Sequence, residues 1–391
     1  MTKRPVKMQQ KTVLMFHAQY RILGGEERSF DEEATLLEEI GYNVVRFELP
    51  NALIRSNPIS ALAAVFNPAI FIRVIRLIKN LKPQLIYVNN LWPALSPAVL
   101  LAARISAVPT LQALRNYRLV CPSAKLDNLG NCLNCGASTF PFRCIANGCY
   151  NGSRIQSALV AGFSVATRVI NAGRGNHFYL ATSRITKDLL VRHGVPQARI
   201  RVRPNFLLNS INPSFKPGVG VIYVGRLSEE KGIAELIECW QKIENAPLLT
   251  LVGNGPLAKI AEAASASHSS KVRWIGAQPA SVVLTMLQDS VMSIVPSQWA
   301  EPFGRAAIES MSAGTPVIHT DGGALPEIVG DGGIQLTGLT AAELSKALAV
   351  TKNSSELIAL RHKAFDRYRA RFGYAAAAQD MRDHIEAVGA N

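Results

Sequence analysis

No Asp-x-Asp triplet occurs anywhere in the 391 residues, which removes one common metal–diphosphate motif. No uninterrupted apolar run of about eighteen residues is present either, so a membrane-spanning helix is not expected. The basic start, Met1 to Lys11, leads into a short strand-like run instead of the apolar core of a signal peptide. The expectation is therefore an intracellular protein. Cysteine is scarce: five of the six fall between Cys121 and Cys149, a local feature and not a secreted disulfide framework. Acidic residues are outnumbered 28 to 42 by Lys and Arg, for a formal net charge of +14. That excess asks for an anionic partner, and a membrane surface, nucleic acid or a phosphorylated substrate would each qualify. With 48% hydrophobic residues, the chain can build two ordinary cores.

Short apolar runs alternate with helical periods. Strands are expected at Thr12–Phe16, Asn43–Phe47, Gln84–Val88, Pro109–Leu114, His177–Ala181 and Arg199–Arg203. Helices are expected between them, around Glu27–Ile40, Ile59–Leu81, Ser96–Ile105, Arg154–Ala172 and Arg184–His193. The rhythm repeats with strands near Gly220–Val224, Leu248–Val252, Lys271–Trp274, Val291–Val295 and Pro316–His319, and helical segments follow from Ala341. Such alternation predicts α/β architecture with two doubly wound parallel sheets. Asn205 to Val219, with Pro213, Pro217 and Gly218, reads as the linker. Ligands of such sheets bind at the carboxyl ends of the strands, so the expected site is the cleft between domains.

Around Pro302-Phe303-Gly304, the carboxylates of Glu301 and Glu309 stand eight residues apart. Pro302 and Gly304 suit a turn that opens a helix, which puts Glu301 just before the N-terminus and Glu309 about two turns along. The unpaired backbone N–H groups between them form a phosphate site. Carboxylates repel phosphate, so the two glutamates are left to accept hydrogen bonds from sugar hydroxyls. Val224-Gly-Arg-Leu-Ser-Glu-Glu-Lys-Gly232 follows another strand, and Gly225 lets Arg226 and Lys231 turn back over its end. Two cations there would stabilise a diphosphate leaving group. Leu251-Val-Gly-Asn-Gly-Pro256 makes a further glycine turn, at Gly253, where a nucleobase or ribose could lie against backbone.

These residues together resemble the retaining glycosyltransferases of the GT-B fold, specifically glycosyltransferase family 4, of the kind used in bacterial polysaccharide or lipopolysaccharide biosynthesis. The likeness covers most of the chain and is strongest from about Val221 to Gly333. It implies two Rossmann-like domains facing each other across a cleft. Residues 1–208 would form the acceptor-side domain, with a cysteine-containing insertion at 117–152. Residues 209–365 would bind the nucleotide sugar, and 366–391 would form a helix packing back on the first domain. The resemblance implies that Glu301 meets the donor sugar, Glu309 the ribose, and Arg226 and Lys231 the diphosphate. Gly24 and Gly25, in the loop after the first strand, would lie over the donor phosphates. Gly225, Gly253, Phe303 and Gly304 complete the donor side. Arg115 and Asn116 fall on the acceptor side, where members often carry histidine at the position of Arg115. It further implies retention by front-side attack, no cofactor for catalysis, and a saccharide or lipid-linked acceptor. The expected location is cytoplasmic, peripheral on the inner face of the membrane.

Three segments carry open alternatives. Cys132-Leu-Asn-Cys135 with Cys144 and Cys149 has spacing near that of a structural zinc knuckle, Cys121 could replace any of the four, and unligated thiols are the plain alternative. Arg73, Arg76 and Lys79 lie along one stripe of an apolar helix, either snorkelling from a crossover helix or meeting anionic lipid. The basic run His362 to Arg371 reads as the solvated face of a C-terminal helix. The competing functions are an epimerase-like enzyme on the same fold and a basic nucleic-acid-binding protein. The latter is disfavoured because Arg143 is the only basic residue between Cys132 and Cys149.

Overall fold

The computed structural model describes residues 11–20, 24–51, 58–124, 126, 135, 140–173, 175–209, 211–266 and 271–389. The first domain contains β1 (Thr12–Gln19), α1 (Gly25–Glu39), β2 (Asn43–Pro50), α2 (Pro58–Val65), α3 (Pro68–Leu81), β3 (Leu85–Val88), α4 (Ala98–Ile105) and β4 (Thr110–Leu114). It continues through α5 (Phe142–Ala146), α6 (Arg154–Asn171), β5 (His177–Ala181), α7 (Arg184–Arg192) and β6 (Ile200–Val202). The second domain contains β7 (Val221–Val224), α8 (Ile233–Gln241), β8 (Leu249–Val252), α9 (Ala258–Ser265), β9 (Val272–Trp274), α10 (Ala280–Asp289) and β10 (Met292–Val295). Then come α11 (Arg305–Ser312), β11 (Val317–His319), α12 (Leu325–Val329), β12 (Gly333–Gln335), α13 (Ala341–Leu348), α14 (Ser354–Arg371) and α15 (Tyr374–Gly389).

Among the described residues each domain has one six-stranded sheet, in the orders β2-β1-β3-β4-β5-β6 and β12-β11-β10-β7-β8-β9. All pairings are parallel, so helices must cover both faces. β1 shows how the pleat divides the core. Leu14, Phe16 and Ala18 pack under α3, α4 and α6, while Val13 and Met15 face α1 and α15. The order reverses at β1 and β3 in the first sheet and at β7 and β10 in the second. The crevices at their carboxyl ends are where such sheets hold ligands.

Three local expectations need correction. The single helix expected over Ile59–Leu81 is two helices, α2 and α3. Pro68 stands at the first position of α3, and the Asn67 side chain accepts from the Ile70 N–H at 3.2 Å, so the chain restarts there. The short β12 adds an edge strand that lacked a sequence signal. Finally, α14 runs unbroken to Arg371, and the chain crosses back to the first domain at Phe372–Gly373, not at residue 366. α15 then buries Ala377, Ala378, Met381 and Val388 against the first sheet.

Candidate functional site

The second domain supplies two strand-end turns that lock together. Leu227 N–H donates to the Asn254 carbonyl at 3.0 Å, and Gly225 N–H to Val252 at 3.0 Å. Gly253 sits at φ +143°, and a Cβ there would overlap the Gly225 carbonyl, so only glycine lets the two turns approach. The Tyr223 hydroxyl donates to the Arg226 carbonyl at 2.8 Å, fixing the turn from inside. Arg226 itself is exposed and has no ion-pair partner among the described residues. Lys231 follows in a short turn and reaches back to the β10 loop.

That loop holds Glu301. Its carboxylate is 4% exposed and accepts hydrogen bonds from the Lys231 ammonium and, at 2.6 Å, from the Ser297 hydroxyl. Its backbone is pinned on both sides, N–H to Trp299 at 2.9 Å and C=O from Ala324 at 2.8 Å. Burial opposes ionisation, but the charge of Lys231 and hydrogen bonds from Lys231 and Ser297 outweigh it and hold the carboxyl below its usual range. The Lys231 ammonium also lies 5.4 Å from the centre of the Trp299 ring. Gly304, at φ +94°, caps α11 in the left-handed region.

Two expectations are revised here. α11 begins at Arg305, so Glu309 lies just over one turn along it, not two, because the Pro302–Gly304 turn uses up the intervening residues. Phe303 is 3% exposed and packs edge-on against Phe372 at 5.7 Å. Its ring anchors the turn in the core, leaving only its backbone available to a ligand.

Opposite stands α1. Gly25 lies against Arg305, whose Cδ would be 3.3 Å from a Cβ added there. The Arg305 guanidinium donates to Glu32 at 2.7 Å through both terminal nitrogens, to the Ser29 hydroxyl at 3.1 Å, and through Nε to Glu309 at 3.0 Å. Arg28 approaches Glu309 from the same helix at 3.7 Å. Nearby, the hydroxyls of Thr182, Ser183 and Thr186 all donate to the Pro302 carbonyl at 2.8, 2.9 and 3.2 Å. The loop bearing Glu301 is therefore held from both domains, and the N-termini of α1 and α11 meet at the same cleft. Helix N-termini attract phosphate, while ionised carboxylates accept from hydroxyls.

The first domain adds a buried relay that sequence inspection missed. Arg115 Nε donates to Asn89 Oδ1 at 2.9 Å, which turns the Asn89 amide nitrogen toward His17 Nδ1 at 3.0 Å. An accepting Nδ1 leaves the imidazole proton on Nε2, 3.7 Å from Glu27 Oε1. Glu27 accepts from the Tyr20 and Gly24 N–H groups, both at 2.9 Å, and so ties down the glycine loop. Burial opposes its ionisation, but the facing His17 imidazole and hydrogen bonds from the backbone of Tyr20, Gly24 and Glu27 prevail and lower it to about 2. Arg115 also reaches Asn205, Glu33 and Tyr87. It is thus a fixed part of the framework, and Asn116, bonded to Glu26 at 3.1 Å, shares that rim. Asn90, Gln112, Arg115, Asn116 and Arg118 line a polar cavity beside the cleft.

Of the expected metal ligands, Cys132 lies outside the described residues. Cys135 and Cys144 are buried and Cys149 is exposed. Burial and the neighbouring thiols of Cys149, Cys135 and Cys121 push the Cys144 thiol up to about 12. Among the described residues no group of three or more His, Cys, Asp or Glu is arranged to hold a metal ion.

Residues 211–378 match the family model described as glycosyl transferases group 1. That match takes in every element of the second domain from β7 to α14. The whole chain has the GT-B fold, and its likeness to the Anabaena Alr3699/HepE structure in complex with UDP-glucose has a TM-score of 0.64 at 17% identity, covering 96% of this chain and 99% of that one. An uncharacterized glycosyltransferase of Methanocaldococcus jannaschii is 30% identical over 34% of this chain, and the match spans only 39% of that relative's length. A 42.6 kDa protein in the cps region of Klebsiella pneumoniae is 23% identical over 71% of this chain and 69% of its own. Of the residues expected at the donor side, Gly25 and Glu309 meet at Arg305, Lys231 pairs with Glu301, and Gly225 and Gly253 pack together at the ends of β7 and β8. Arg305, Glu32, His17 and Glu27 were not anticipated. Arg305 meets Glu32 across 273 residues and His17 meets Asn89 across 72, so no local pattern marks those pairings, whereas Glu27 binds Tyr20 and Gly24 nearby.

Proposed function

We propose that the protein transfers a sugar, with retention, from a nucleotide-sugar donor to a saccharide or lipid-linked acceptor. One observation carries this reading: a buried, ionised carboxylate in the turn that leads into α11, Glu301, paired with the strand-end cation Lys231. The cations and the N–H groups of α11 suit a diphosphate, and the carboxylate suits hydroxyls of the attached sugar. The bond from the anomeric carbon to the phosphate oxygen breaks as an acceptor oxygen bonds to the same face. The departing phosphate takes the acceptor's proton, so the reaction depends on orientation and electrostatics more than on a dedicated base. The family match and the UDP-glucose-bound Anabaena neighbour support a nucleotide sugar as donor. The Klebsiella relative's place in a cps region supports a polysaccharide pathway.

A screen of UDP-, GDP- and ADP-sugars for binding and hydrolysis tests the reading. One donor bound and cleaved, with product of unchanged anomeric configuration by NMR, is the expected result. No turnover of any donor, or inversion, would refute it. Structural zinc on Cys132, Cys135, Cys144 and Cys149 belongs to the same proposal, supported by the crowding of thiols around Cys144. Purified protein should then contain about one zinc per chain, and a content well below that removes the metal.

A further inference from the structure

Helix α6 carries a polar stripe on the face it buries. Ser157, Ser164, Thr167 and Asn171, spaced seven, three and four residues apart, are each at most 7% exposed. Burying hydroxyls and amides costs free energy unless each finds a partner. Three of the four do. Ser157 accepts from the Tyr150 N–H at 3.0 Å, and Ser164 donates to the Arg118 carbonyl at 2.8 Å. The Asn171 amide donates to Gln112 Oε1 and to the Tyr179 hydroxyl, both at 3.2 Å. The Thr167 hydroxyl is the exception: it has no partner among the described residues, and it stands in the wall of the polar cavity beside the cleft.

The same cavity, about 40 Å³, is lined by two further donors, Arg118 and Gln112. Arg118 is held rigidly. Its N–H donates to Asn116 Oδ1 at 3.0 Å and its guanidinium to the Pro122 carbonyl at 3.0 Å, 5.7 Å from the ring centres of both Trp92 and Tyr150. Its Nε–H is shielded from solvent, yet among the described residues it has no acceptor. Gln112 gives its Oε1 to Asn171, so its amide nitrogen is the end left for a ligand. Glu26 is the only acidic residue among those lining the cavity, and its Oε1 is engaged by Asn116 at 3.1 Å. Every other lining residue falls between Glu48 and Asp188, a stretch whose single acidic residue is Asp127. Three donors without an acceptor call for a group that only accepts, and a guanidinium without a carboxylate makes that group an anion. The room is little more than the roughly 30 Å³ share of one liquid water, which suits a planar carboxylate and excludes a sugar ring.

We propose that Arg118, Thr167 and Gln112 form a carboxylate subsite, which makes the acceptor an acidic saccharide of the uronic acid class. The carboxylate accepts from Arg118 Nε, Thr167 Oγ1 and Gln112 Nε2 between α6 and the end of β4, and the ring stays outside, its hydroxyls free to face the cleft. A buried hydroxyl without a partner costs the free protein stability, and a ligand that engages it recovers that cost on binding. The role as acceptor rests on the glycosyl-transfer reading, whereas capture of the carboxylate does not.

Calorimetry of the full chain with glucuronate and galacturonate, against glucose and inorganic phosphate, tests it. One of the uronates should bind at least about tenfold more tightly than glucose, the ratio expected of a charge-assisted hydrogen bond. Arg118→Met should remove that preference. Thr167→Val should weaken uronate binding about fivefold yet raise the denaturant midpoint, because a methyl group replaces a buried hydroxyl that has no partner. A purely structural threonine would lower the midpoint instead, so this variant separates binding from folding. With the donor found by the nucleotide-sugar screen, methyl glucuronide or methyl galacturonide should exceed methyl glucoside as acceptor in kcat/KM. Binding of neither uronate, equal affinity for glucose, phosphate held as tightly as uronate, wild-type uronate affinity in both variants, or transfer to the glucoside alone would overturn the proposal. Uronate binding with no transfer to any acceptor would count against the transferase reading and leave the subsite in place.

Discussion

Arg305 of α11 grips Glu32 of α1 with two 2.7 Å hydrogen bonds across the cleft, while its Nε holds Glu309 at 3.0 Å. One guanidinium thus joins the domains and orients the carboxylate proposed to meet the ribose. Burial works against its charge, but the two glutamates overcome this and keep Arg305 more firmly protonated than usual.

A double-mutant cycle on Glu32→Ala and Arg305→Ala should accordingly show strong coupling. The pair is mostly buried and bidentate, so an interaction energy of about 1–3 kcal/mol is expected from denaturant unfolding. Each single variant should also widen the particle in small-angle scattering. Additive effects with an unchanged radius of gyration would show that the pair does not hold the domains together.

Arg226 and Lys231 should separate stability from turnover. Lys231→Ala leaves the Glu301 carboxylate buried without its cation and should cost about 3 kcal/mol of stability as well as turnover. Arg226 is exposed, so Arg226→Ala should leave stability within about 0.5 kcal/mol while lowering turnover. Wild-type turnover for Arg226→Ala with the identified donor would remove it from the diphosphate site.

Much of this arrangement is legible in the chain because it is local. Strand rhythm marks both sheets, and the Glu301-to-Glu309 segment announces its turn through Pro302 and Gly304. Asn67-Pro68 also signalled the break between α2 and α3, although continuous apolar periodicity masked it. What could not be read depends on tertiary closure. Glu32 and Arg305 are 273 residues apart, and nothing near either one specifies the other. Phe303 looked available between Pro302 and Gly304, yet its ring is committed to Phe372 by a helix that arrives at the end of the chain.

Acid should loosen the glycine loop. Glu27 is held at about 2 in the folded protein against an ordinary value of 4.5. A depressed carboxyl contributes stability that is full above about pH 4.5 and is lost as pH falls toward about 2. Glu301, also depressed, acts with the same sign. Denaturant midpoints should therefore fall through that window, and Glu27→Gln should flatten the fall. An acid limb unchanged in the variant would mean that Glu27 is not the group responsible.

The relay from Arg115 to His17 makes a spectroscopic prediction. Arg115 fixes the Asn89 amide, and that amide selects the imidazole tautomer protonated at Nε2. Long-range nitrogen–proton NMR should show one neutral His17 tautomer in the wild type. Arg115→Met removes the donor to Asn89 Oδ1 but leaves Glu33 paired with Arg203 at 2.7 Å, so the domain should still fold, with a loss of about 1–3 kcal/mol. With the amide free to turn, His17 should then populate both tautomers, and its contact with Glu27 should weaken. Arg115→Lys, which lacks the fork that reaches Asn89 and Glu33 together, should not restore the single form. A single Nε2 tautomer persisting in both variants would show that Asn89 is oriented without Arg115.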